Sequence, residues 1–268
     1  GSQALATVSF QTVTNNRIIT PSIMGFESLY VAIQTSAVYF FGVVGLVSFQ
    51  GTRQFVFQIV AMVGVALVLY SWLLTGRHRN DLQAMLLIGI VIGGGLRSVA
   101  TFMQRLLTPS EFDILAARMF GSVTNADPAY LPIAIPLCLT AGVLLWTRAR
   151  RLNVLALGRD TSIRLGLDYR SELIRVLFLV SVLMAVSTAL IGPMTFFGFL
   201  VAAVAYQLAD SYDHRLIFPV ALLSAFVFMF GAYFVLRHVF YAQGVVSIII
   251  EAVGGLAFLI ILLRRGRL

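Results

Sequence analysis

The chain has 268 residues, of which 59% are hydrophobic and 11% charged, with a net charge of +8 and a mean hydropathy of +0.94. That composition excludes an ordinary soluble domain and marks a polytopic membrane protein. The positive charge does not indicate nucleic-acid binding, because the basic residues lie in short stretches between apolar runs and form no separate basic domain.

A helix needs roughly 20 apolar residues to cross the hydrocarbon core. The chain opens with Gly1-Ser2-Gln3 and enters an apolar, small-residue segment at once, without the charged region and cleavage site of a signal peptide. Such an opening reads as the middle of a protein, with 1–13 a truncated span. Asn15, Asn16 and Arg17 follow. Polar side chains at a helix end form an inner constriction of a pathway, or they are a plain cap with a topology charge.

Apolar runs then predict spans near 28–48, 53–75 and 82–106. The third carries Gly89, Gly93, Arg97, Thr101 and Gln104 at steps of four and then three, which places them on one helical face. The small residues admit close helix approach, and the polar ones are costly towards lipid. Arg97, about midway along the span, is expected to face the bundle interior, a partner or water, and Glu251 is the available carboxylate for an ion pair.

In the 107–129 stretch, Pro109 and Ser110 ahead of Glu111 start a short helix that reaches Gly121, with Phe112, Leu115, Met119 and Phe120 as its apolar face; an ordered loop is the alternative. Further spans fall near 130–147, 171–191, 216–236 and 244–263, and 195–208 is too short to cross unless oblique or packed within the bundle. Between Trp146 and Val176 lie Arg148, Arg150, Arg151, Arg159, Arg164, Arg170 and Arg175. If the segments alternate, these share one side with Arg17, Arg77, Arg79, Arg215, Arg264, Arg265 and Arg267, leaving Arg53, Arg105, Arg118 and Arg237 opposite. The crowded side is the cytoplasm by the positive-inside rule, so the C-terminus is cytoplasmic, and Trp72 and Trp146 sit at the matching span ends.

Catalytic chemistry is not legible. There is no GxxxxGK[ST], no zinc-protease helix motif and no GxSxG elbow. The chain has no lysine for a phosphate loop, and Cys138, the single cysteine, lies in an apolar run where packing is its expected role. His78, His214 and His238 are far apart in sequence and read as solvated loop residues, so no metal site and no catalytic residue are expected.

The segment GRDTSIRLGLDYR at 158–170 resembles the cytoplasmic coupling segment of the iron-chelate uptake ABC-transporter permease (FecCD-type) family, which has a leading Gly, a short helix and a Leu-Gly pair. Three further stretches fit in order. FQTVTNNRIITPSIMG, from Phe10 to Gly25, is similar to the family's loop "Q, then N-x-L-A-x-P-x-x-L-G". IGPMTFFGFLV, from Ile191, resembles "GPIxFxGLxxP", and Asp213-His214-Arg215-Leu216 stands where the family has "DHRxLLP". The closing GGLAFLIILLRR looks like its last helix with a basic tail. FQTVTNNRIITPS and FMQRLLTPSEFDIL look most like the subgroup for ferric catecholate or mixed siderophores. The chain departs at Asn16-Arg17-Ile18-Ile19-Thr20-Pro21, and at Ala203, where the family has a proline before its DHR region.

The resemblance implies an all-α, polytopic membrane helix bundle, one permease domain over 1–268 with about nine spans of the family's ten, a short outer helix and a cytoplasmic coupling helix. It implies the transmembrane subunit of an importer of iron–siderophore complexes in the bacterial cytoplasmic membrane. Partners would be a second permease subunit, a heterodimer rather than a homodimer, two ATPase subunits holding ATP and Mg, a substrate-binding protein, the ferric siderophore and lipid. No cofactor is expected in this chain.

The coupling residues would be Gly158, Arg159, Asp160, Thr161, Arg164, Leu165 and Gly166, on a helix over Thr161–Leu165 capped by Asp160 and Thr161 and ended by a left-handed Gly166; anchoring at lipid headgroups is the plainer role. Arg97, Thr101, Gln104 and Glu251 would line a route for an anionic chelate, and Arg237 would dock a carboxylate of the binding protein or be simply solvated. Rival functions are a permease for cobalamin, haem or another chelate, an ion-coupled carrier, for which only Glu251 and Glu27 offer intramembrane carboxylates, and a membrane scaffold.

Overall fold

The first helix, α1 (Ser2–Val13), lies at the centre of the bundle, and every residue from Gln3 to Val13 is buried. In this computed structural model, residues 1–48, 51–75, 82–123, 126–241 and 244–265 are described. Helix α1 packs against α6 (Leu131–Thr147), α9 (Tyr169–Ile191), α10 (Phe197–Leu208) and α11 (His214–His238). Small residues allow this: Ala4 and Ala6 end at Cβ, and a Cβ on Gly198 of α10 would stand 2.2 Å from the Thr7 hydroxyl. Lipid is as apolar as leucine, so close packing rather than hydrophobic drive holds such helices together. The stretch expected as a truncated span is thus the innermost helix of the described structure.

Beyond α1 the chain turns at Asn15, whose φ is 49°, and a 3-10 helix at Pro21–Met24 brings Gly25 against the middle of α4 (Leu82–Gln104). A Cβ on Gly93 would lie 2.9 Å from Gly25 Cα, and one on Gly89 would lie 3.2 Å from the Met24 carbonyl oxygen. The two glycines do admit a close neighbour, but that neighbour is this loop. Gly25 itself has a φ of 96°, a backbone that side-chain-bearing residues rarely adopt. From there α2 (Phe26–Ser48) runs along α4 and breaks at Gly42, with φ 63° and ψ −174°.

Helix α3 (Thr52–Thr75) packs against α9. The expected short helix is present as α5 (Pro109–Met119), and the Glu111 carboxylate accepts from the Thr108 backbone N–H at 3.0 Å and its hydroxyl at 2.8 Å. The backbone bond first, then the hydroxyl, holds that carboxyl below its ordinary range. Leu115 is fully buried beside Val38, with Leu107 and Met119 packed around them, whereas Phe112 and Phe120, expected on the same face, are 42% and 45% exposed.

Two short helices, α7 (Ala149–Leu155) and α8 (Arg159–Arg164), join α6 to α9. Helix α10 is short, as expected, and is packed within the bundle, with Phe197 to Ala202 buried. Its neighbour α12 (Val246–Arg265) approaches through Gly254, where a Cβ would meet Phe196 Cβ at 2.6 Å. Among the described residues four stretches are long and apolar enough to cross a membrane by themselves: Leu86–Gln104, Pro128–Thr147, Tyr169–Ile191 and His214–His238. Thr52–Val68, Phe197–Leu208 and Val246–Ile260 are shorter apolar helices. The fold is all-α among the described residues; Arg77, His78, Arg79 and Arg267 lie outside them.

Candidate functional site

The arginine-rich end of the bundle is organised by one carboxylate. Glu172, in the first turn of α9, has a side chain only 3% exposed and accepts from Arg148 at 2.7 Å, from Arg175 at 2.8 Å and from Arg151. These three arginines come from the α6–α7 junction, α7 and α9, so the contact clamps the start of α9 to the end of α6. By sequence the seven arginines of this region are topology signals, with Arg159 and Arg164 also coupling candidates; Arg148, Arg151 and Arg175 are structural as well. The cue was Glu172 itself, a carboxylate placed among arginines at the start of an apolar span.

Helix α8 begins two residues before the expected Thr161, at Arg159, with Gly158 as its N-cap at φ 88°. Asp160 and Thr161 are therefore inside the first turn, and no side chain caps it, which corrects the expected capping role. Gly166 has the left-handed backbone expected of it, φ 82°, and its N–H donates to the Ile163 carbonyl at 2.9 Å. Ser162, fully buried, donates to the carbonyls of Val154 at 2.9 Å and Gly158 at 2.6 Å and so fastens α8 to α7. Arg159, Asp160, Thr161, Arg164, Leu165 and Gly166 all remain exposed, together with Leu157 and Ile163.

At the same end, the Arg17 guanidinium lies 4.5 Å from the ring centroid of Tyr206 and 5.3 Å from that of Tyr212. Asn15 is exposed, and Asn16 Oδ1 accepts from the Ile18 N–H at 2.9 Å, so the two asparagines shape the loop that presents Arg17. The helix C-cap is Thr14. His214, expected to be solvated, is 2% exposed. Its Nδ1 is 2.5 Å from Asn153 Oδ1 and its Nε2 is 2.6 Å from Thr12 Oγ1. Asn153 Nδ2 donates to Asp213 Oδ1 at 2.9 Å, and Asp213 also accepts from the Arg215 N–H at 3.0 Å as the N-cap of α11. The Asn153 bond above all, then the Arg215 backbone bond, holds the Asp213 carboxyl below its ordinary range.

The polar face of α4 divides. Gln104 donates to Thr35 Oγ1 at 3.0 Å on α2 and lies against Met119 of α5, which makes it a packing residue. Arg97 and Thr101 are exposed on the isolated subunit, and Thr101 returns its hydroxyl to the Arg97 carbonyl at 2.8 Å. A step of four overshoots the helical turn by about 40°, so positions 97 and 101 rotate away from the face that Gly89 and Gly93 press on the loop. No ion pair joins Arg97 to Glu251 among the described residues, contrary to the expected buried pair. Glu251, also exposed, and Glu27 nonetheless lie within electrostatic reach of Arg97. Glu27 Oε2 accepts from Thr195 Oγ1 at 2.6 Å. This carboxylate belongs to the same cluster, and only the fold brings it there.

At the opposite end Arg237 is exposed and lines a hollow of about 570 Å³ with Ser122, Tyr233, Phe234 and His238. His238 bonds its own helix through the Phe234 carbonyl at 3.0 Å. Cys138 is a half-buried free thiol that accepts from Ser2 Oγ at 3.2 Å. No group of His, Cys, Asp and Glu among the described residues is arranged to hold a metal ion.

The model of the FecCD transport family matches residues 1–264. The chain belongs to this family. It is 57% identical, over 99% of its own length and 75% of the relative's, to the petrobactin import system permease protein FatC of Bacillus anthracis. It is 37% identical to the petrobactin import system permease protein YclO of Bacillus subtilis strain 168, over 100% of this chain and 84% of that protein. Its fold matches a metal-chelate type ABC transporter in an inward-facing conformation, with a TM-score of 0.82 at 22% identity, covering 97% of this chain and 82% of the other.

As a member of the FecCD transport family the protein is a membrane permease of an ABC importer. In this permease Arg159, Asp160, Thr161, Arg164, Leu165 and Gly166 are exposed around the buried Ser162, Arg17 and the Asp213-His214 motif lie at the same end, and Arg97 is within electrostatic reach of Glu251 and Glu27. Residues missed from sequence, Glu172, Asn153 and Thr12, share one trait: a polar group inside or beside an apolar run, a costly placement in lipid that signals a partner elsewhere; Glu27 was legible only as a carboxylate for the rival ion-coupled carrier.

Proposed function

We propose that this permease imports a ferric siderophore of the petrobactin type. The observation that carries the reading is the 57% identity, along nearly the whole chain, to a petrobactin import permease. The chain, 1–268, acts as one transmembrane domain in the cytoplasmic membrane with its C-terminus on the cytoplasmic side. It pairs with a second, different permease subunit. Two ATPase subunits, which bind the ATP and Mg, press on the exposed surface of α8, where Arg159 and Arg164 flank the apolar Ile163 and Leu165. Arg17 with Asn15 and Asn16 forms the inner gate. Arg97, Thr101 and Glu251, exposed on the isolated subunit, line the path at the junction with the second permease, where an arginine attracts an anionic chelate. Arg237 docks the substrate-binding protein.

The test is uptake of radiolabelled iron in a strain lacking this chain and complemented with it. Iron supplied as ferric petrobactin should enter, and neither haem nor cobalamin should. Restored haem or cobalamin uptake without ferric petrobactin uptake overturns the substrate assignment.

A further inference from the structure

Hydrogen bonds, joined through one peptide step on α7, lead from α8 to the end of α1. Ser162 ties α8 to the Val154 carbonyl of α7. The preceding residue, Asn153, reaches α11: its Nδ2 donates to Asp213 Oδ1, and its Oδ1 accepts from the His214 backbone N–H at 3.0 Å and lies 2.5 Å from the ring Nδ1. Because the Asn153 amide hydrogens face a carboxylate, its Oδ1 is the accepting atom, and His214 Nδ1 carries the ring hydrogen. The other ring nitrogen, Nε2, lies 2.6 Å from Thr12 Oγ1 on α1. Thr12 is followed by Tyr206 at 3.5 Å, and the Tyr206 ring lies under Arg17.

We propose that Asn153, His214 and Thr12 are positioning residues that make α1, and through it Arg17, follow any displacement of α7 and α8. The inference rests on the reading of α8 as the ATPase-coupling surface. Its physical basis is that His214 is buried and bonded at both ring nitrogens, so water cannot replace either partner. A relative slip of roughly 1 Å takes such a bond past its useful range, so α7 and α1 move together or the bridge breaks. The bridge is thus a contiguous packed and hydrogen-bonded link of the kind through which a displacement passes between sites. Thr12 Oγ1 also lies 2.8 Å from the Val8 carbonyl of its own helix, so its one hydrogen is shared between that carbonyl and His214 Nε2, while Asn153 sits between the buried Leu152 and the partly buried Val154.

The experiment uses the complete importer in proteoliposomes, with ferric siderophore uptake and ATP hydrolysis measured in the same vesicles. Thr12→Val keeps the shape and removes the hydroxyl; chelate imported per ATP should fall at least fivefold while hydrolysis continues, and Thr12→Ser should restore it to within twofold. Asn153→Ala breaks the bridge from the α7 side and should give the same loss, and combining it with Thr12→Val should add nothing further. The proposal falls if chelate per ATP in both single variants stays within twofold of the parent, or if their losses multiply in the double variant. Gly166→Val, which strains the end of α8, separates the two levels. If Gly166→Val uncouples and the bridge variants do not, the bridge alone is wrong. If Gly166→Val leaves the ratio unchanged, the reading of α8 fails, and the proposal with it.

Discussion

Arg148 donates to Glu172 across 2.7 Å, joining the end of α6 to the first turn of α9 through a carboxylate that is only 3% exposed. Arg151 and Arg175 share the same carboxylate, and their side chains are half exposed. Removing the acceptor leaves three neighbouring cations without their shared carboxylate. Glu172→Leu is expected to destabilise the protein by about 2–3 kcal/mol, below the 3–5 of a fully buried pair because solvent screens two of the arginines. Thermal unfolding in detergent measures it, and an unchanged midpoint would show that the cluster is only a surface ion pair.

The contact of Gly93 with Gly25 leaves no room for a side chain, since a Cβ would stand 2.9 Å from backbone. Gly93→Val should therefore push the 3-10 segment off α4 at a cost of about 1–3 kcal/mol. Gly95→Ala, two residues on, meets nothing within 4 Å and should be neutral or slightly stabilising in the same assay. Equal effects of the two changes would refute the close-approach argument.

With no carboxylate in contact, Arg97 is available to an anionic chelate. Arg97→Leu is expected to lower siderophore uptake at least tenfold while expression stays normal, and Arg97→Lys should give an intermediate rate because it keeps the charge but loses the planar fork. Glu251→Leu should not rescue the leucine variant. Rescue would restore the ion-pair reading, and wild-type uptake by Arg97→Leu would remove Arg97 from the path.

Asp213 gives a pH dependence with a definite sign. Its carboxyl is held below the ordinary range by the Asn153 bond and the α11 backbone, so its stabilising contribution is present above the unfolded value of about 3.9 and is lost as pH falls through the folded value. The gap in unfolding midpoint between the parent and Asp213→Asn should be constant from neutral pH down to about 4 and close below it. A gap that widens on acidification would contradict the assignment.

Much of the architecture is written in the sequence. Apolar runs long enough for a bilayer predicted the helices closely, because in lipid every backbone polar group must be satisfied within its own helix. The stretches expected at 53–75 and 195–208 match α3 to within one residue and contain the whole of α10. Pro109, Ser110 and Glu111 marked the start of α5, and Gly166 marked the end of α8, since caps and left-handed turns depend on local chemistry. The ordered motifs at 10–25, 158–170, 191–201 and 213–216 were sufficient to indicate the family that the full-length match shows.

What only the tertiary structure decided is which polar residues meet. Thr12 and His214 are 202 positions apart, Glu27 and Thr195 are 168 apart, and neither pair leaves a periodic trace in the chain. Helical spacing put Gln104 and Arg97 on one face, yet Gln104 is held by Thr35 while Arg97 is turned away, because the rotation of a helix about its axis is fixed by its neighbours. For the same reason the first thirteen residues, unremarkable as a sequence, form the most buried helix of the bundle: their small side chains permit that position, and the packing of α6, α9, α10 and α11 around them assigns it.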